Sequence, residues 1–538
     1  MTGTAEKKRR GRQRLQITTP RIWFYHDGRH PHIYRYEPPM YREQFAACID
    51  ELAGTPVEAV SFCLGEGRTM LHETQAGELL GHNVTEWDHL IFRRAHQNAM
   101  GLIESGDDPL RLVCERARLR GIRLYPCLLV QNPGPESATV RCSDFRHKNP
   151  HLEIRARANH ADLLWMDGLD FVHEEVRQER FAVIEETLST YDVAGFELQL
   201  NVQPRFFHPD EVGSGRGVMT DFVGQIHEAV RRSGEDRELA VRVPLDLEMG
   251  YEIGLDVTEW IRQGIVDVVL PETFGGPDRL DPNLDFRPLL ELTQDTDCSV
   301  IPALHSSVGS DRVGEGPISM MRAQACNYWD QGVDGLYLAQ WFHHWPYEAG
   351  FYERLRELPF PDIMATRDKY YYIPTDSSFA APAGAEAQLP VPLETDTPAQ
   401  VSLVISDDLH AAHEEGRVHE VLLRIGLAQN TELDDVLFRL NECELPLDTC
   451  RRINQMYRMQ APRHRGGPTY WYVFRLGADA WPQRGENTLE VTLRHRDAAV
   501  VGTVSLRDVE LEIHYLMGRS SPRGFVDADL GYYEHVVT

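Results

Sequence analysis

Two glutamates are the residues of this chain whose types and setting suit acid–base work at a single centre. Glu197 stands in Gly195-Phe196-Glu197-Leu198-Gln199-Leu200-Asn201, and Glu272 follows Pro271 at the end of the apolar run 266–270. Two carboxyl groups flanking an acetal carbon can split a glycosidic bond, one protonating the leaving oxygen while the other attacks or activates water. Glu197 is assigned as the proton donor, and Glu272 as the nucleophile or general base. The donor role requires a pKa raised by burial or by a carboxylate neighbour. A separation of about 5–5.5 Å would give retention and about 6.5–9.5 Å inversion.

Other residues at the ends of apolar runs would hold the substrate. Asp27, Glu66, Gln199, Asn201, Arg242, Asp246, His305, Gln340, Trp341 and His343 offer acids, amides, imidazoles and an indole, with little charge suited to clamping phosphate. Amides and imidazoles bind hydroxyls, and an indole stacks on the apolar face of a sugar. Each has a plainer role beside this one. Glu197 can pair with Arg242 on a neighbouring strand, Glu272 can cap a helix, and Glu66 or Asp246 can order a loop. His305 can be a core histidine. The run His26-Asp27-Gly28-Arg29-His30-Pro31-His32 holds metal-ligand types, but Gly28 and Pro31 keep a helix from aligning its imidazoles. No metal or cofactor is expected, and no G-x-G-x-x-G turn follows any strand.

The elements that must position these residues alternate. Short apolar runs at 21–25, 57–64, 123–130, 195–201, 239–246, 266–270, 299–306 and 335–342 read as eight strands. Amphipathic stretches at 175–191, 219–232 and 319–331 read as helices between them. Eight such units are expected to form an α/β fold, a (β/α)8 TIM barrel, whose active face gathers the C-terminal strand ends. Long His-, Asn- and Pro-containing insertions at 69–88 and 131–167 would roof that face.

Beyond about residue 368, period-2 segments at 399–405, 420–427, 470–476, 487–493 and 504–515 read as an antiparallel β-sandwich. The expected division is a disordered basic tail over 1–20, a catalytic barrel over 21–366, the sandwich over 367–517 and a tail over 518–538. Tyr470, Trp471 and Tyr472 could give the sandwich a sugar site of its own, although their alternation sends at least one face to the core.

Composition narrows the partners. Lys+Arg number 55 against Asp+Glu 83, a net charge of −28, which disfavours a phosphate backbone, so no nucleic acid is expected. No run is long and apolar enough for a membrane span, and the basic run Lys7–Arg12 has no apolar stretch after it. A cytoplasmic protein with a carbohydrate substrate is expected, with homo-oligomerisation left open. Nine scattered cysteines without a C-x-x-C pair argue against a disulfide framework or zinc site.

Residues 170–177 (DFVHEEVR) and 191–198 (YDVAGFEL) resemble a bacterial group of glycoside hydrolases, the glycosyl hydrolase family 10-like barrel proteins common in planctomycete-type genomes. Residues 254–260 (GLDVTEW), 266–271 (VDVVLP) and 332–338 (GVDGLYL) are similar to the same group, as are 485–491 (GENTLEV) and 506–511 (LRDVEL) to its trailing sandwich. The resemblance implies a glycosidase barrel. That group reads Glu-Leu-Asp where this chain reads Glu197-Leu198-Gln199. If its chemistry needs the Asp, this chain is altered; if it needs the Glu, the work remains open to it. A sugar or uronate lyase or isomerase using Asp27, Glu66 and the histidines, with or without a metal, is one alternative. A non-catalytic carbohydrate-binding barrel is another.

Overall fold

The computed structural model describes residues 21–131, 140–154, 168–274, 280–308, 316–341, 345–375, 388–454, 469–516, 526–527 and 531–532. Strands form at all eight expected runs: β1 Ile22–His26, β2 Ala59–Glu66, β3 Arg123–Leu129, β4 Gly195–Gln199, β5 Glu238–Pro244, β6 Val268–Glu272, β7 in two pieces, Ser299–Val300 and Ala303–Leu304, and β8 Leu336–Leu338. Neighbours pair in chain order and in parallel, and β1 pairs with both β2 and β8.

The break in β7 falls at Ile301-Pro302, where proline lacks the N–H that a ladder needs. The ring still closes across it. Ile301 N–H donates to the Val269 carbonyl on β6 at 3.0 Å, and Tyr337 N–H on β8 donates to the Pro302 carbonyl at 2.9 Å. The sheet is therefore a TIM barrel, filled by side chains at every second strand position. Trp23 and Tyr125 meet inside it with ring centroids 4.2 Å apart.

The helix expected at 175–191 spans Glu174–Thr190 and buries Val176, Val183, Ile184 and Leu188. The one expected at 219–232 starts seven residues earlier, as Val212–Ser233. Its first turns carry Gly213, Gly215 and Gly217, weak helix formers that hide the signal. A Cβ at Gly215 would come within 2.6 Å of the Phe207 ring, so this turn needs glycine for close packing. The third expected helix spans Ile318–Gln331.

Contacts divide the chain into two compact units: Met1–Pro277 with Arg287–Ala303 and Val333–Glu348, and Asp278–Phe286 with Leu304–Gly332 and Ala349–Thr538. The second unit contains two antiparallel sheets. In one the order is Lys369–Tyr372, Ser505–Tyr515, Val418–Ala428, Tyr470–Arg475 and Arg451–Asn454. The other runs Pro398–Ile405, Gly485–His495, Asp435–Leu440 and Cys443–Glu444. Val401, Leu403 and Ile405 share one core with Leu423, Ile425 and Phe474.

Tyr470 and Tyr472 belong to that core, while Trp471 packs with Ile453 and Val473 on the other face. All three rings are buried, so they do not form the exposed platform that a sugar site on the sandwich would require. The basic run of 1–20 and most of 518–538 lie outside the described residues. Among the described residues no helix is long and apolar enough to cross a membrane.

Candidate active site

Alternation along β4 puts Glu197, Gln199 and Asn201 on the inner side of the barrel at three successive heights. At a strand rise of about 3.3 Å per residue, Glu197 lies about 6–7 Å back along the strand from Gln199, toward the barrel interior. It is fully buried and densely bonded. Arg242 on β5 donates to its Oε1 from Nε at 2.9 Å and from Nη2 at 2.7 Å. Tyr337 OH donates to its Oε2 at 2.9 Å, and Cys127 Sγ approaches Oε1 at 3.3 Å. Ser61 Oγ donates to Oε2 and accepts from Trp23 Nε1 at 2.8 Å. The pairing with Arg242, the plainer role for Glu197, is the one the barrel forms.

Arg242 is the hub of this layer. Its Nη2 also donates to Tyr337 OH at 2.6 Å, and its guanidinium lies 4.3 Å from the Tyr25 ring centroid. Burial works against its charge, but Glu197, Tyr337 and Glu272 outweigh it and hold the guanidinium firmly protonated.

Glu272 stands at the C-terminal end of β6, opposite Pro244 of β5 in register. It is 2% exposed. Its Oε1 accepts from Asn201 Nδ2 at 3.0 Å and from Gln199 Nε2 at 3.2 Å. Gln199 is oriented for this: its Oε1 accepts the Asn201 and Val202 N–H groups at 2.6 and 3.2 Å, which turns its amide nitrogen toward Glu272. Burial pushes the Glu272 pKa above the ordinary carboxylate value, against the opposing pull of Arg242, Asn201 and Gln199.

At the ends of β1 and β2, Asp27 and Glu66 share Arg29. Arg29 Nε donates to Asp27 Oδ1 at 2.9 Å, and its Nη1 pairs with Glu66. Arg141, from the insertion after β3, adds a contact from Nε to Glu66 Oε2 at 3.0 Å. Burial pushes Glu66 up, yet the two guanidinium groups prevail and hold it below the usual range. Asp27 ends above its ordinary value because burial outweighs Arg29. Its side chain is 16% exposed, more open than Glu66. The chain needs glycine here, since a Cβ on Gly28 (φ +67°) would fall 2.2 Å from the Cys63 carbonyl oxygen.

The remaining expected residues are more scattered. Asp246 is exposed and caps the helix Leu247–Glu252, accepting the Glu248 and Met249 N–H groups at 3.0 Å each. Trp341 has no exposed surface, so it presents no face for stacking on a sugar. His305 is buried and groups with the second unit. His343 lies outside the described residues. Gln340 is half-buried and holds φ +59° just past β8, and Gln203 holds φ +51° just past β4. Such strain in non-glycine residues gathers at functional sites.

His26 and His32 from the possible metal run are fully buried. Burial lowers both, His32 to about 3, so both are neutral imidazoles. Sequence reasoning missed Ser61, Cys127 and Tyr337, whose inward phase on their strands was available as a signal. It also missed Arg29 and Arg141, for which loop sequence offers no comparable pattern.

No family model and no curated protein matches this chain. The fold is similar to solved glycoside hydrolases. One is an alpha-amylase from Geobacillus thermoleovorans complexed with acarbose, at 11% identity over 89% of this chain and 98% of that one, TM-score 0.39. An endo-1,4-beta-mannanase from Rhizomucor miehei gives 13% identity, 64% and 96% coverage, and a TM-score of 0.38. A beta-galactosidase from the psychrophilic Marinomonas ef1 gives 9%, 63% and 58%, and 0.40.

Proposed function

We propose that this protein is a glycoside hydrolase acting at the C-terminal mouth of the barrel, with Glu272 as its proton donor. The observation that carries this reading is the setting of Glu272: a buried carboxyl at a strand end, its pKa raised by burial, with one oxygen fixed by two side-chain amides. A general acid has to keep its proton near neutral pH and face the leaving oxygen in a fixed orientation.

Glu197, first assigned that donor role, is better suited to a supporting one. Its oxygens are occupied by Arg242, Tyr337, Ser61 and Cys127, so it acts by holding Arg242 beneath the site. The second carboxyl role falls to Asp27, the part-exposed acid at the end of β1. Gln199 and Asn201 position Glu272, and Glu66, clamped by Arg29 and Arg141, shapes the rim.

Product release from a panel of oligosaccharides and aryl glycosides tests this function. The parent chain should release sugar, and Glu272→Gln should lower turnover about 10²- to 10⁴-fold while leaving ligand binding in place. Ligand binding by the parent with no product from any member of the panel would favour the non-catalytic alternative. Unchanged turnover in Glu272→Gln would remove the assignment.

A further inference from the structure

The insertions after β2 and β3 bring three potential ligating side chains together. Glu78 lies in the short strand Glu78–Leu79, His82 in the turn that follows, and Asp144 opens the helix Asp144–Lys148. One ligating atom from each falls within 4.8 Å of the others. His82 Nε2 stands 3.8 Å from Glu78 Oε2 and 3.7 Å from Asp144 Oδ1.

Two features separate this group from an ordinary surface ion pair. His82 Nδ1 lies 3.0 Å from the Leu79 carbonyl oxygen, an acceptor that requires the proton on Nδ1. In the neutral ring that bond places the lone pair on Nε2, the nitrogen that stands beside the two carboxylate oxygens, so an added cation would be met by three ligating groups. The spacing is also too wide for a bridging proton, since charged N–H···O bonds run about 2.7–2.9 Å. With metal bonds of about 2.0–2.2 Å, tetrahedral ligands sit about 3.3–3.5 Å apart, so each of the two histidine–carboxylate spacings would close by a few tenths of an ångström on a metal.

The carboxylates are already oriented from outside. Glu78 Oε2 accepts the Asp144 N–H at 2.8 Å, and Asp144 Oδ1 accepts Asn83 Nδ2 at 2.8 Å. Their other oxygens take Arg68 at 3.1 Å and Lys148 at 2.9 Å. Such outer partners fix ligand orientation.

We propose that Glu78, His82 and Asp144 bind a divalent zinc ion, with water completing the tetrahedron. One imidazole and two carboxylates suit zinc better than the all-oxygen shells of calcium or magnesium. The ion would tie the insertion after β2 to the insertion after β3, a structural role independent of the chemistry at Glu272.

Zinc titration of the full metal-free chain against a chromophoric chelator tests this, alongside His82→Ala and Asp144→Asn. All three ligands are at least partly solvent-exposed, and superimposable melting curves without metal would show that the variants fold. The parent should bind one equivalent that both variants lose, with affinity falling by at least the roughly 10- to 100-fold that outer-shell losses cost. Zinc should raise the melting temperature of the parent but not of His82→Ala. Either no saturable zinc binding by the parent or undiminished binding by His82→Ala overturns the proposal.

Discussion

Arg242 donates from both Nε and Nη2 to a single oxygen, Oε1, of Glu197, at 2.9 and 2.7 Å, in a part of the barrel with essentially no solvent access. The pair belongs to the barrel interior, one layer beneath the carboxyl at Glu272. Breaking a buried pair by removing one member costs more than the pair contributes, because it strands the other charge.

Glu197→Gln should therefore destabilise the barrel by about 3–5 kcal/mol, since Arg242 is left buried without the carboxylate that it bonds directly. Urea unfolding followed by tryptophan fluorescence measures this directly. A change under about 1 kcal/mol would mean that the guanidinium finds another anion or water.

The pH dependence of turnover should follow Glu272. Its pKa is raised by burial, so the acid form persists above the ordinary carboxylate range and activity falls as pH rises through the raised value. Glu272→Gln should abolish that basic limb. A limb that survives in the variant belongs to another group.

Gln199→Glu, the isosteric acid, would place a second carboxyl where the Gln199 amide now lies 3.2 Å from Glu272 Oε1. Like charges in contact disfavour ionisation. The basic limb of the pH profile should move upward, and an unmoved limb would show that the two groups do not couple.

Acid stability should reflect the buried histidines. Burial holds His32 at about 3 and lowers His26 and His72 as well. The folded state keeps these rings neutral while the unfolded chain protonates near 6.5, so stability is full above that value and declines as pH falls toward 3. His32→Phe, which keeps an aromatic ring beside Phe45, should flatten the decline seen in urea midpoints between pH 6.5 and 4. An equal decline in the variant would show that His32 does not contribute.

Much of this arrangement was legible in the sequence. Eight apolar runs sufficed for the barrel, because each strand is buried on both faces and reads as a continuous apolar block. Alternation also placed Glu197 inward. It could not supply height: whether an inward acid lies in the packed interior or at the mouth depends on register with β5, where Gln199 and not Glu197 stands opposite Arg242. The contact between Gln199 and Glu272 was hidden for a related reason, since it spans β4 and β6 across an intervening strand. Arg141 reaches Glu66 from 75 residues away through an irregular insertion, a pairing with no periodic trace.

The most direct measurement of the central claim compares leaving groups. If Glu272 protonates the departing oxygen, Glu272→Gln should lose about 10²- to 10⁴-fold on a sugar or alkyl leaving group. It should retain most of its turnover on a dinitrophenyl glycoside, whose leaving group needs no proton. Equal losses on both substrates, or none on either, would contradict the assignment.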